Sequence, residues 1–431
     1  MTQTAIDTRS RTRSCALDLT CHRCGISYPL ARSVFVCPEC GKGLDITYDY
    51  EQAAEYFKEI PSAERPRNIW HFEELLPIVS ASAQARVGRY AGYTPLLKAE
   101  RLGAELGIAN LYIKDESTAR PSFSYKDRVC AMAVARLLEL GHTELGCVST
   151  GNVGSSIASY CSAAGVDAFV CYPNRLEQTK ARICRALGAR VFQVEGNYDE
   201  ANRRCREVAE ETGIEFANIT LRPFYAEGAK TAAFEIVEQL GMTPPDHVVI
   251  PAAGGTLSSR VHKGLNEVKL LGLADTDLTR IHIAQPAGCN PIAAAIVDGR
   301  PEIEAVVPET TAHSLAIGAP NDGYLVIDAA LTRGGTADVA SDPEIFDGID
   351  LLARTEGILT EPAGGTTVAV LGKLAAAGRF AADETVVAMI TGNGLKTLDD
   401  HPPKSWPMGI ACEPEAMIGA LRDLKARPVF D

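Results

Sequence analysis

The run Pro121-Ser-Phe-Ser-Tyr-Lys126-Asp-Arg128 lies between residues 111–114, an apolar stretch that predicts a strand, and residues 128–140, whose apolar positions recur at helical spacing. A strand that hands over to a helix through a short polar loop is the repeating unit of a mostly parallel sheet. In such sheets ligands bind beyond the carboxyl ends of the strands, so these loops are where chemistry is expected. Lys126 stands in one of them, beside a helix start, and its amine is a candidate nucleophile toward an aldehyde. A lysine that opens a helix also suits a plain surface position. The reading therefore turns on what the neighbouring loops bring.

Working outward, residues 146–149, 168–172, 191–194, 248–251, 281–285 and 386–390 read as short apolar strands. They alternate with helix-period stretches at 154–164, 176–187, 200–212, 229–240 and 257–271. That rhythm predicts an α/β fold of doubly wound parallel sheets with helices on both faces. The expected division is a large lobe from residues 51–104 and 229–402, a smaller lobe from 105–228 with a seam over 197–227, and a C-terminal extension over 403–431. Three further loops stand out. Ser149-Thr150-Gly151-Asn152-Val-Gly154 opens a helix and reads as an anion cradle suited to a carboxylate, with the Asn152 amide free to hydrogen-bond a ring oxygen; a tight turn fits the same residues. Ala253-Gly254-Gly255-Thr256-Leu257 follows an apolar strand and begins a helix, the arrangement that captures a phosphate dianion, although a structural glycine turn is its competitor. Thr391-Gly-Asn-Gly394 ends the last strand and sets a hydroxyl at the sheet edge.

The chain has 431 residues, 46% hydrophobic and 23% charged, with a net charge of -13. This suits a protein of two or three domains and argues against nucleic acid or anionic lipid as partner. No apolar run approaches the about 20 residues that span a bilayer. Residues 1–14 lack the apolar centre of a secretory signal, which predicts a cytoplasmic protein with a disordered start. Of thirteen cysteines, those at 130, 147, 161 and 171 fall inside expected helices and strands and read as reduced thiols. Four others differ. Cys21-His-Arg-Cys24 and Cys37-Pro-Glu-Cys40 make two knuckles, each followed by a glycine, as tight turns around a tetrahedral metal require. Residues 15–50 are thus expected to form a zinc-ribbon-like segment with a closed, structural zinc site; four metal-free thiols are the alternative.

Tyr93-Thr-Pro-Leu96, Ser124-Tyr-Lys-Asp-Arg128, Ser149-Thr-Gly-Asn152, Ala284-Gln-Pro-Ala-Gly-Cys-Asn-Pro291, Ser314-Leu-Ala-Ile-Gly318, Asp322-Gly-Tyr324, Glu361-Pro-Ala-Gly364 and Thr391-Gly-Asn-Gly394 follow in an order and spacing that resembles the threonine synthases of the fold-type II pyridoxal-phosphate enzymes. The resemblance runs from the ribbon to about residue 399. It implies that pyridoxal 5'-phosphate is bound through a Schiff base to Lys126, with Asn152 on the ring oxygen, Ala253, Gly254, Gly255, Thr256 and Leu257 on the phosphate, and Thr391 on the pyridine nitrogen. It also implies γ-elimination of phosphate from O-phospho-L-homoserine, addition of water at Cβ, and a homodimer. Ser122, Ser124, Ser149, Thr150, Gly151, Lys180 and Arg182 are the candidates for the substrate's carboxylate and leaving phosphate. Arg89-Tyr-Ala-Gly92 and the Pro-Ser-Phe-Ser-Tyr125 stretch depart from the family pattern near the expected substrate position. They leave two alternatives: a cysteate-synthase-like replacement on another phosphorylated amino acid, and a non-catalytic zinc-ribbon binding protein.

Overall fold

The strands in chain order are β1 (Ala16–Cys21), β2 (Ser27–Pro29), β3 (Leu44–Tyr48), β4 (Leu96–Lys98), β5 (Asn110–Asp115), β6 (Glu144–Val148), β7 (Asp167–Tyr172), β8 (Arg190–Gln193), β9 (Glu215–Phe216), β10 (His247–Pro251), β11 (Arg280–Pro286), β12 (Ala337–Ala340) and β13 (Thr385–Ile390). They lie in a computed structural model that describes residues 12–31, 34–173, 178–400 and 413–425. Most of the expected disordered start, the head of the helix expected at 176, the last two residues of the expected large lobe, and residues 403–412 and 426–431 of the expected C-terminal extension lie outside the described residues. Within that extension Pro414–Lys425 is a helix.

A six-stranded sheet runs β12-β11-β10-β13-β5-β4, parallel except for β4 at its edge, and a parallel four-stranded sheet runs β8-β7-β6-β9. β10 is buried along its whole length and β13 at all but its first residue. Helices cover both faces there, so continuous apolar runs replace the alternation of a one-sided strand. The α/β, doubly wound architecture read from the sequence is the one observed. The boundary expected at residue 105 falls elsewhere. β5 pairs with β13, and Leu111 and Ile113 bury with Val386 and Ala388 in the core of the larger sheet, so the smaller sheet begins only at β6. The expected seam over 197–227 is itself structured: it holds the helix Tyr198–Thr212, capped by Asn197 and Glu200 in a reciprocal box, then β9 and the helix Arg222–Glu227.

The helix Lys126–Glu139 is buried on nearly all sides because it packs against the helices Asn152–Ala164 and Arg222–Glu227. Arg128, in its first turn, is fully buried and pairs with Glu116 (2.7 Å) and Glu235 (2.5 Å), while Lys114 pairs with Glu235 at 2.7 Å. Burial pushes the Glu235 carboxyl up, but Arg128 and Lys114 outweigh it and bring it down to about 2. This network ties β5, the Lys126 helix and the helix Thr231–Gln239 into one rigid block.

β1, β2 and β3 form a separate antiparallel sheet in the order β2-β1-β3. β3 packs on the helix Arg222–Glu227, where Tyr48 Oη donates to Glu227 at 2.7 Å. Lys263, on the helix Thr256–Leu270, donates to Asp45 at 2.7 Å, and Arg260 joins the same carboxylate. No helix among the described residues is long and apolar enough to cross a membrane.

Candidate active site

The carboxyl ends of β5, β6, β10 and β13 feed loops that meet around one cavity. Lys126, Ser149, Thr150, Asn152, Ala253, Gly254, Gly255, Thr256, Leu257 and Thr391 all line it, with Tyr125, Tyr198, Asn218, Arg222, Tyr225, Ser258 and Ser314. Lys126 is the first residue of its helix, half-buried, and its Nζ donates to Tyr125 Oη. The loop that carries it is zipped to the last strand's loop: Tyr125 N donates to Thr391 O and Asn393 N to Phe123 O, each at 3.0 Å, and Ser124 bridges Gly392. The Lys126 amine and the Thr391 hydroxyl are therefore held on a common frame.

Gly255 takes φ +95 and ends the strand-to-helix turn that opens Thr256–Leu270. A Cβ there would stand 2.9 Å from Val326 Cγ2, so glycine is required twice over, by conformation and by space. The first-turn N–H groups of Thr256, Leu257 and Ser258 precede any intrahelical acceptor and face the cavity end of the helix. Ser258 Oγ is buried and has no hydrogen-bond partner. An orphaned hydroxyl beside free helix N–H groups is the chemistry of an anion site. Arg222 stands beside it, 3.5 Å from Thr256 Oγ1, with Asp322 as its counter-ion.

At the other side of the cavity the Asn152 amide is gripped at both ends: Nδ2 donates to Glu361 at 2.7 Å and Oδ1 accepts from Lys396 at 2.8 Å. The remaining expected substrate groups are placed differently from one another. Ser149 Oγ accepts from Gly151 N (2.9 Å) and Gly154 N (2.8 Å), so two of the amides expected to cradle an anion are spent inside the loop. Ser122 and Ser124 are buried and do not line the cavity, with Ser122 Oγ donating to Asp127 at 2.6 Å. Lys180 is fully buried against Glu361 at 2.9 Å, with Gly151 over its methylenes, and Arg182 is exposed. Neither lines the cavity. The sequence reading gave no role to Glu361, Lys396, Ser258 or Arg222; Glu361 did stand inside a quoted motif.

At the ribbon, the sulfurs of Cys21, Cys24, Cys37 and Cys40 all lie within 4.8 Å of one another, with Cys21–Cys40 at 3.4 Å, Cys24–Cys37 at 3.6 Å and Cys24–Cys40 at 3.9 Å.

Residues 87–392 match the family model described as pyridoxal-phosphate dependent enzyme. The chain belongs to the pyridoxal-phosphate-dependent enzyme family. Among its curated relatives in that family, the threonine synthase of Methanocaldococcus jannaschii is 36% identical over 410 residues, covering 94% of this chain and 99% of the relative. The threonine synthase of Methanosarcina acetivorans is 35% identical over 381 residues, covering 88% and 92%. Among solved structures, diaminopropionate ammonia lyase from Escherichia coli superposes with a TM-score of 0.62 at 22% identity, covering 74% of this chain and 89% of the other, a likeness of fold. The resemblance drawn from the ordered motifs is thereby borne out. The cavity fits the family's cofactor on its own terms: it offers an amine, an amide, a hydroxyl and a glycine-opened helix start with an unpartnered buried hydroxyl.

Proposed function

We propose that this protein converts O-phospho-L-homoserine and water to L-threonine and inorganic phosphate, using pyridoxal 5'-phosphate held around Lys126. One observation carries the reading. Lys126, Asn152, Thr391 and the turn over residues 253–257 converge on a single cavity, in a chain that covers 99% of an archaeal threonine synthase at 36% identity. Lys126 would hold the cofactor covalently, Asn152 its ring oxygen, residues 253–257 with Ser258 its phosphate, and Thr391 its ring nitrogen. When bound, the cofactor supplies an electron sink that acidifies the Cα proton of an amino-acid substrate.

The chain's own groups do the rest. Lys126, hydrogen-bonded to Tyr125, is the base that moves protons at Cα and Cβ. Thr150 and the remaining amides of its loop hold the substrate carboxylate. Thr391 offers a hydroxyl where a carboxylate would enforce a positive ring, which suits elimination and replacement better than transamination. Among the described residues lining the cavity, Arg222 and Lys126 are the cations, and Arg222 supplies positive charge for a phosphate group.

A structural zinc belongs to the same proposal. Zinc–sulfur bonds of about 2.3 Å around a tetrahedron set sulfurs about 3.8 Å apart, close to the 3.4, 3.6 and 3.9 Å separations of the ribbon cysteines. Four thiolates leave no open position, so the metal would hold the segment together and take no part in turnover. The assembly is taken as a homodimer in the cytoplasm, where the free cysteines described throughout the chain stay reduced.

The test is to incubate the holoenzyme separately with O-phosphohomoserine and O-phosphoserine and to measure phosphate and amino-acid product. Threonine and phosphate in equal amounts from the first substrate alone is expected. Phosphate released only from the second would replace this reading with a β-replacement on phosphoserine.

A further inference from the structure

We infer that Glu361 and Lys396, backed by Lys180, are positioning residues that fix the Asn152 amide so that its second N–H is presented to the cofactor's ring oxygen. The inference rests on the role given to Asn152 above. An asparagine amide has a donor end and an acceptor end, and rotating it by half a turn exchanges them. An ionised carboxylate only accepts, and an ammonium only donates. Glu361 Oε2 meets Asn152 Nδ2 at 2.7 Å and Lys396 Nζ meets Oδ1 at 2.8 Å, so the flipped amide would face acceptor to acceptor and donor to donor. One hydrogen of Nδ2 is consumed by Glu361, and the other is left for the cavity that Asn152 lines.

The two partners are themselves fixed. Lys396 Nζ also donates to the carbonyls of Ser122 (2.9 Å) and Phe123 (3.1 Å), in the loop that carries Lys126, and these with Asn152 use all three of its hydrogens. Glu361 Oε1 lies 2.9 Å from Lys180 and 3.3 Å from Lys396. Two glycines make room for the cluster: a Cβ on Gly392 would fall 2.3 Å from Glu361 Oε2, and one on Gly151 would fall 2.2 Å from Lys180 Cδ. Burial pushes the Glu361 carboxyl up, but Lys180 and Lys396 outweigh it and hold it down at about 2, so it stays a pure acceptor across the working range. Buried charges of this kind are often replaceable by apolar packing without loss of stability. Here their polar ends converge on one amide of the site, which gives them a purpose beyond packing.

The test strips the enzyme of cofactor with a carbonyl reagent and titrates pyridoxal phosphate back into wild type, N152A, K396M, K396Q, E361Q and the N152A/K396M double variant. Dissociation constants and the shape of the visible absorption band are recorded, with circular dichroism and thermal melting of each apo form as the folding control. K396M and E361Q are expected to raise the dissociation constant about tenfold, the worth of one hydrogen bond to a charged group, and to alter the band. K396Q, which keeps an N–H donor, recovers most of the loss. On the N152A background K396M adds nothing further. Additive effects of K396M and N152A would overturn the inference, as would K396M or E361Q binding cofactor like wild type; should K396M not fold, E361Q, alone and on the N152A background, decides by the same criteria. If N152A itself changes neither constant nor band, the role of Asn152 is what fails. If N152A changes both and the other variants change neither, only the positioning role falls.

Discussion

On the proposed reading Lys126 would act as a nucleophile because three other loops meet it around one cavity, and its replacement is the sharpest check on the site. Lys126→Ala should abolish both the yellow colour of the holoenzyme and phosphate release, read by visible absorption and a phosphate assay on a protein whose circular dichroism is unchanged. Retained colour would point the cofactor to another amine. Ser258→Ala should weaken cofactor binding about tenfold if, as proposed, its hydroxyl donates to a charged phosphate; an unchanged dissociation constant would mean that this buried hydroxyl serves another partner. That Lys126, Asn152 and Thr391 would meet at one cavity was legible in the sequence because each follows a recognisable strand. Glu361 and Lys396 were not, because what defines them is a partner 209 and 244 residues away along the chain. Lys180 was noticed for its charge, but the charge serves Glu361 and not the cavity.

The strands that place these loops are the ones a reader of the sequence finds most easily. β10 and β13 are buried on both faces and so spell unbroken apolar runs. β4, β9 and β12 escaped because two to four residues carry too little periodicity to be told from loop. The helix Pro362–Ala376, buried over most of its surface, offers little amphipathic pattern for the same reason that β10 does not alternate. What the sequence hid altogether is the way the Lys126 helix is anchored. Arg128→Met would strand Glu116 and Glu235 as buried carboxylates short of a counter-ion. The expected cost is about 3–5 kcal/mol of unfolding free energy, measured by urea denaturation of the apo form; a loss below about 1 kcal/mol, the worth of an exposed pair, would show that the network is dispensable.

Taken over the entire chain, these paired carboxylates predict how it responds to acid. Glu235 and Glu361 are both held at about 2, against about 4.3 in an unfolded chain. Groups depressed in this direction contribute stability that is complete above about pH 5 and drains away as pH falls toward 2. Urea unfolding between pH 7 and 3 should therefore show stability flat near neutrality and falling below pH 5, with a shallower fall in Glu235→Gln. Removal of metal is the other global perturbation. A strong chelator should release one zinc per chain and lower the melting temperature, followed with a zinc-sensitive dye and thermal denaturation; a chain that yields no zinc and melts unchanged would leave the four cysteines as plain thiols. The ribbon does not hang free, since Asp45 on β3 clasps Lys263 and Arg260 of the very helix whose first turn lines the cavity and is proposed to hold the cofactor's phosphate. If the ribbon holds zinc as proposed, scarcity of that metal should thus empty this enzyme of coenzyme much as scarcity of vitamin B6 does, the one by weakening a distant grip and the other by mass action.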